Sequence, residues 1–265
     1  SMFRTHYDSM RPGPTPERVL AIVRMIVETP LSIAEISSRC QFDVENAPVT
    51  EAVNRSISTA EELHLIERHD GLCLFTADKK VIESPEAFRK YVSKYVFSNA
   101  ETSFFKATQW FVSSNEKILG YTSFNTYSAE MNKAGLDGIK ENDVLGWRFW
   151  LRFLGIAYQY RTTLIPNMAV RLQDAMQNFP RNVEVSADEY LHWLKENVPE
   201  VAQSCSQHRL CLAVSNGLRT LEDMDKIELI SVMDANKVGL FPLPGVIKND
   251  FSKIIVKEGL NHEMA

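Results

Sequence analysis

Asp70-Gly71 stands between two short apolar runs, residues 65–69 (LIERH) and 72–76 (LCLFT). A two-residue type I′ turn needs positive φ at both central positions, which Asp-Gly tolerates, and its twist matches that of the strands it joins. The pair therefore predicts a tight hairpin. Upstream, Thr15 as N-cap and Pro16 at the first helical position open a helix. Its apolar residues Val19, Leu20, Val23, Ile26 and Val27 recur at helical spacing, and Pro30 stops it. Ser32 with Glu35 fits a capping box for a short second helix. Asn46-Ala47-Pro48 opens a third, with Val49, Ala52, Val53, Ile57, Ala60 and Leu63 turned inward. Residues 1–15, carrying Pro12, Gly13 and Pro14, read as a lead-in arm.

The middle of the chain is helical and rich in aromatics. Ser84 and Pro85 start a helix with the stripe Phe88, Tyr91, Val92, Tyr95 and Val96; Phe104, Phe105, Ala107, Trp110 and Phe111 continue the pattern. Such stripes mean packing; a base-stacking platform would need interleaved cations, and only Lys106 is near. Residues 120–143 read as a loop-rich hinge with one short helix. Asn142 or Asp143 then caps the most apolar helix, VLGWRFWLRFLGIAYQY, whose inward stripe is Trp147, Trp150, Leu151, Leu154 and Tyr158. On it Arg148 and Arg152 share one face at i,i+4 spacing, with Arg161 just beyond. These form either a basic stripe or arginine stems covering apolar surface.

In the last third, Ser186 and Glu189 form a second capping box, and HRLCLAVSNGLRTLEDMDKIELI contains a longer helix facing inward through Leu210, Val214, Leu218 and Leu221. Residues 227–232 and 238–243 read as the two strands of a hairpin after that helix, and 247–265 as a further strand and a tail. The fold class expected is mainly α with small β-hairpin wings.

Three helices, the second short, followed by a hairpin, resemble winged helix-turn-helix regulators through LSIAEISSRC and VTEAVNRSISTAEELHLIERHDGLCLFT, over about residues 15–80. LRTLEDMDKIELISVMDANKVGLFPL parallels the end of that stretch. The expected organisation is a winged-helix domain with its arm over 1–80, an aromatic-rich helical domain over 81–183, and a second winged-helix-like domain over 184–265. In such proteins the third helix enters the major groove and the wing touches flanking backbone. The resemblance thus implies DNA contacts by Asn54, Arg55, Ser58, Arg68 and His69. It implies the same for Arg209, Ser215, Asn216 and Arg219 in the second module; the basic stripe of Arg148 and Arg152 makes those two further candidates. With GWRFWLRFLGIAYQYRTTLIPN in its middle, the chain is also similar to DpdG-type proteins of bacterial DNA-modification and phage-defence islands. That implies a non-catalytic accessory component of a multi-protein system acting on double-stranded DNA.

Charge pulls the other way. The chain carries a formal net charge of -5 with a pI near 5.8. Residues 1–80 hold nine basic and twelve acidic side chains. Phosphate contacts require Lys or Arg, so an adaptor that binds partner proteins, or a second copy of itself as a homodimer, stands beside the DNA reading. A small-molecule regulator with a pocket at Trp110, Trp147 and Trp150 is a third. No glycine-rich phosphate loop or nucleophile elbow marks an enzyme, and no catalytic residue or cofactor is expected. Cys205, His208 and Cys211 are spaced three apart, but a structural zinc site takes four ligands, so no metal is expected. Four scattered cysteines and the lack of a 20-residue apolar run point to a cytoplasmic protein without membrane contact.

Overall fold

The structure is a computed structural model and describes residues 2–4, 10–40 and 49–261. It is mainly helical with small antiparallel sheets. The chain divides into two compact units, one of Ser1–Ala107 with Phe124–Phe153, the other of Thr108–Ser123 with Leu154–Ala265.

The first unit opens with α1 (Pro16–Ile26), the two-residue strand β1 (Leu31–Ser32), α2 (Ile33–Arg39) and α3 (Val49–Glu62). Thr15 Oγ1 accepts the Arg18 amide as the α1 cap. Ser32 and Glu35 close both halves of the capping box on α2. The expected opening of α3 at Asn46-Ala47-Pro48 lies outside the described residues. β2 (Ile66–His69) and β3 (Leu72–Phe75) form the hairpin, and β1 adds to the far side of β3, giving the order β1-β3-β2. Asp70 and Gly71 sit at φ 51° and 77°, the left-handed values that a type I′ turn demands.

α4 (Pro85–Val96), the start of α5 (Ser103–Ser113), α6 (Phe124–Lys133) and α7 (Glu141–Phe153) complete this unit. Its aromatic centre joins Phe3, Phe88, Phe104, Trp150 and Phe153, edge to face except for the tilted Phe88–Phe153 pair, with ring centroids 5.0–6.4 Å apart. Of the lead-in arm, Met2, Phe3, Met10 and Pro14 are buried in this core. A Cβ on Gly146 would stand 1.7 Å from the Met10 carbonyl oxygen, so only glycine lets the arm cross α7 here. The Trp150 indole N–H then donates to Pro14 O at 2.8 Å.

The second unit contains β4 (Ala157–Tyr160), β5 (Thr163–Pro166), α8 (Ala169–Ala175), β6 (Glu184–Ser186), α9 (Ala187–Asn197), α10 (Leu212–Asp223), β7 (Ile227–Ile230), β8 (Val238–Gly239), β9 (Asp250–Phe251) and β10 (Lys253–Val256). Ser186 Oγ accepts the Glu189 amide at the head of α9. Two expectations are corrected here. The apolar helix read as running to Tyr160 ends at Phe153, and Gly155 at φ 80° turns the chain into a β4–β5 hairpin. Tyr158, expected inside, is therefore 46% exposed. The return partner of β7 is β10 rather than residues 238–243; β8 pairs instead with β9 inside the long connection. The resulting sheet has the order β6-β10-β7. Arg171 and Glu200 make a buried two-point ion pair at 2.7 and 3.3 Å in this unit. Among the described residues no helix is long and apolar enough to cross a membrane.

Candidate functional site

α3 buries Ala52, Val53, Ser56, Ile57, Thr59 and Ala60 and leaves Glu51, Asn54, Arg55, Ser58 and Glu61 partly open. Those five follow i, i+3, i+4, i+7, i+10 spacing, so they share one outward stripe. The Asp-Gly hairpin brings a sixth group to it. Arg68 Nη2 lies 2.7 Å from Glu61 Oε1 and donates to Ser58 Oγ at 3.3 Å. At the other end Arg55 pairs with Glu51 one turn away. The two cations thus meet two carboxylates, and the stripe carries no net charge. His69 faces Glu67 on its own strand at 3.1 Å, well out on the wing.

Of the residues expected to contact DNA in this module, the fold therefore gathers Asn54, Arg55, Ser58 and Arg68 on one face. Coulomb attraction for a polyanion needs a surplus of positive charge there. Exposed ion pairs are worth only about 0–1 kcal/mol, so Arg55 and Arg68 could swing to a phosphate, but Glu51 and Glu61 would then lie uncompensated against it.

Arg55 also borders a cleft of about 680 Å³ whose charged walls are Arg11, Arg55, Asp137, Lys140 and Asp143. These charges are mixed in sign. Asp143 is buried, and its Oδ2 accepts the Lys140 amide at 2.9 Å, as the first turn of α7 requires. The tryptophans expected to line a ligand pocket are elsewhere: Trp147 and Trp150 are fully buried, and Trp110 stacks on Tyr121 with centroids 6.3 Å apart.

Arg148 and Arg152 part company on α7. Arg152 is exposed, whereas the Arg148 guanidinium lies 4.6 Å over the Phe124 ring and 4.7 Å over Phe149. Burial, aided by the nearby Arg152 charge, pushes the Arg148 pKa down. Its role is the covering of aromatic surface that the sequence offered as the alternative.

In the second unit the candidates scatter. Ser215 is fully buried and its Oγ accepts the Phe241 amide at 2.8 Å, which removes it from any surface. Asn216 Nδ2 donates to Pro166 O at 2.8 Å. Arg219 donates to the carbonyls of Phe241 at 2.7 Å and Lys248 at 3.1 Å, pinning the β7–β10 connection to α10, and burial lowers its pKa. Arg209 is exposed but precedes α10, in the turn between Cys205 and Cys211. His208 Nδ1 points away from the cysteines to Asp188 Oδ1 at 3.1 Å. No group of three or more His, Cys, Asp or Glu able to hold a metal occurs among the described residues.

Sequence reasoning missed one surface. On β4–β5, Tyr158 and Ile165 are cross-strand partners and Tyr160 follows on the same side, exposed by 46%, 36% and 65%. Alternation in AYQY and TLIP was the available signal. No family model matches the chain, and neither a curated protein nor a solved structure matches it.

Proposed function

We propose that this is a tandem winged-helix accessory protein that works by binding partner proteins, with the outward face of α3 and its hairpin as one docking surface. The fold reading rests on element order. Helix, short strand, helix, helix and an antiparallel strand pair recur as α1-β1-α2-α3-β2-β3 and as α8-β6-α9-α10-β7-β10, the second pair being joined by the long connection that holds β8 and β9, and the strand order β1-β3-β2 is repeated by β6-β10-β7. The observation that carries the choice of partner is the cancelled charge of the stripe, Arg55 on Glu51 and Arg68 on Glu61. A polar face with fixed alternating charges selects a complementary protein surface, because like-charge juxtaposition against wrong partners is costly. The exposed Tyr158, Tyr160 and Ile165 supply the aromatic content typical of interface cores. Membership of a cytoplasmic multi-protein system of the DpdG type, and self-association as a homodimer, belong to the same proposal.

Double-stranded DNA is the second reading. It is favoured by the winged-helix order itself and by the exposed Arg152 and Arg209. The test is affinity capture by the full chain from its native lysate, compared with the Glu51→Lys, Glu61→Lys double variant. The proposal expects defined protein partners, resistant to nuclease, that the double variant loses while its melting temperature holds. Capture that nuclease abolishes, or that the charge reversal strengthens, assigns the face to nucleic acid.

A further inference from the structure

We infer that Cys205 and Cys211 are a dithiol redox site at the entrance to α10, converted to a disulfide by a peroxide. The two sulfurs are 3.7 Å apart and both are buried. The Cys211 amide also points at Cys205 Sγ, at 3.5 Å. The chain between them is an exposed reversal in which Gln207 and His208 both take left-handed backbone, φ 56° and 55°. That reversal brings side chains six residues apart into contact. Reaching the disulfide distance of about 2.05 Å needs an approach of under 2 Å, and the movable part is a surface turn rather than packed helices.

The pair is asymmetric. The hydrogen bond shared with the Cys211 thiol, reinforced by the Cys211 amide and the Lys195 charge, draws the Cys205 pKa down against the effect of burial. Sharing that proton, together with burial, pushes Cys211 well up. Cys205 is therefore the sulfur that ionises and attacks. Its thiolate displaces one oxygen of hydrogen peroxide; the O–O bond breaks, Cys205 becomes a sulfenic acid, and the departing hydroxide takes a proton to leave as water. Cys211 sulfur then attacks Cys205 sulfur, the S–O bond breaks, and the hydroxide leaves as water with the Cys211 proton. In sum, two thiols and one peroxide give one disulfide and two waters, a two-electron oxidation.

The bond would act on what the turn holds. Gly239 N donates to His208 O at 2.7 Å and Leu210 N to Gly239 O at 2.8 Å, so the turn is laced to β8. Closing the ring fixes the exposed Arg209 and the start of α10 against that strand. It also removes conformations from the unfolded chain.

The experiment treats the full-length protein with hydrogen peroxide, unfolds it, alkylates the remaining thiols and reads the mass and peptide map. The expected result is that the mass falls by about 2 Da before alkylation, that only two of the four cysteines then take up the alkylating reagent, and that a 205–211 link is found that dithiothreitol reverses. The melting temperature should rise by roughly 5 °C with the link. Cys205→Ala and Cys211→Ala, each conservative for a buried thiol, should form no internal link. Four reactive thiols after oxidation would overturn the inference. So would a link that uses Cys40 or Cys73 or joins two chains, or over-oxidation of Cys205 with Cys211 left free.

Discussion

Gly146→Ala is the sharpest test of the packing in the first unit. In an ordinary exposed helix the change stabilises by up to about 1 kcal/mol, because alanine is the better helix former. Here the added methyl would stand 1.7 Å from Met10 O and 2.6 Å from Arg11 C and O, all backbone atoms that no rotamer change can clear. The arm must lift by more than 1 Å. Lifting it uncovers Met10, 1% exposed, at a cost of about 1.5–3 kcal/mol. It also strips the Trp150 indole of Pro14 O, leaving a buried donor unmade at about 1–3 kcal/mol. Set against the helix gain, the net loss is about 2–5 kcal/mol. Urea unfolding followed by tryptophan fluorescence measures it directly, with Gly120→Ala, where a Cβ meets nothing within 4 Å, as the control expected within about 0.5 kcal/mol of wild type. A Gly146→Ala protein as stable as wild type, or more so, would refute the account of how the arm is held.

Glu200→Gln leaves Arg171 buried without its carboxylate and should cost about 3–5 kcal/mol, read by thermal unfolding. A loss below about 1 kcal/mol would mean the pair is solvated. Arg219→Ala should lower stability by about 1–3 kcal/mol through its lost carbonyl contacts, while leaving partner capture by the α3 face unchanged. Loss of capture at full stability would return Arg219 to the list of binding residues.

The parts legible in sequence were those with local chemistry. Thr15-Pro16, the Ser32–Glu35 box and Asp70-Gly71 each specify a backbone conformation within four residues, and each is formed. The β4–β5 hairpin was hidden because its turn, Arg161-Thr162, lacks the residues that favour left-handed backbone, yet Arg161 sits at φ 55°. The strand within 247–265 is present as β10, but its pairing with β7 was hidden because it is non-local: the return strand follows a 22-residue connection whose own apolar stretch, 238–243, resembles a strand. β1 and β6, of two and three residues, are too short to show any period. At the site, the Glu51–Arg55 pair is readable from i,i+4 spacing, and the acidic dilution of α3 follows from composition. The Arg68–Glu61 contact joins hairpin to helix and becomes visible only when the fold places them together. Ser215 differs for a related reason: its polar group is turned inward, where it serves the Phe241 amide.

The central claim is that the α3 face is charge-balanced and made for proteins. Fluorescence anisotropy of the full chain with a labelled mixed-sequence duplex, titrated with salt, tests it most directly. Balanced charge predicts no binding beyond about 10⁻⁴ M even at low salt, and no systematic dependence on salt concentration. Tight binding that falls steeply as salt rises, with a slope counting several released counterions, would contradict the claim and make phosphate the ligand of this face.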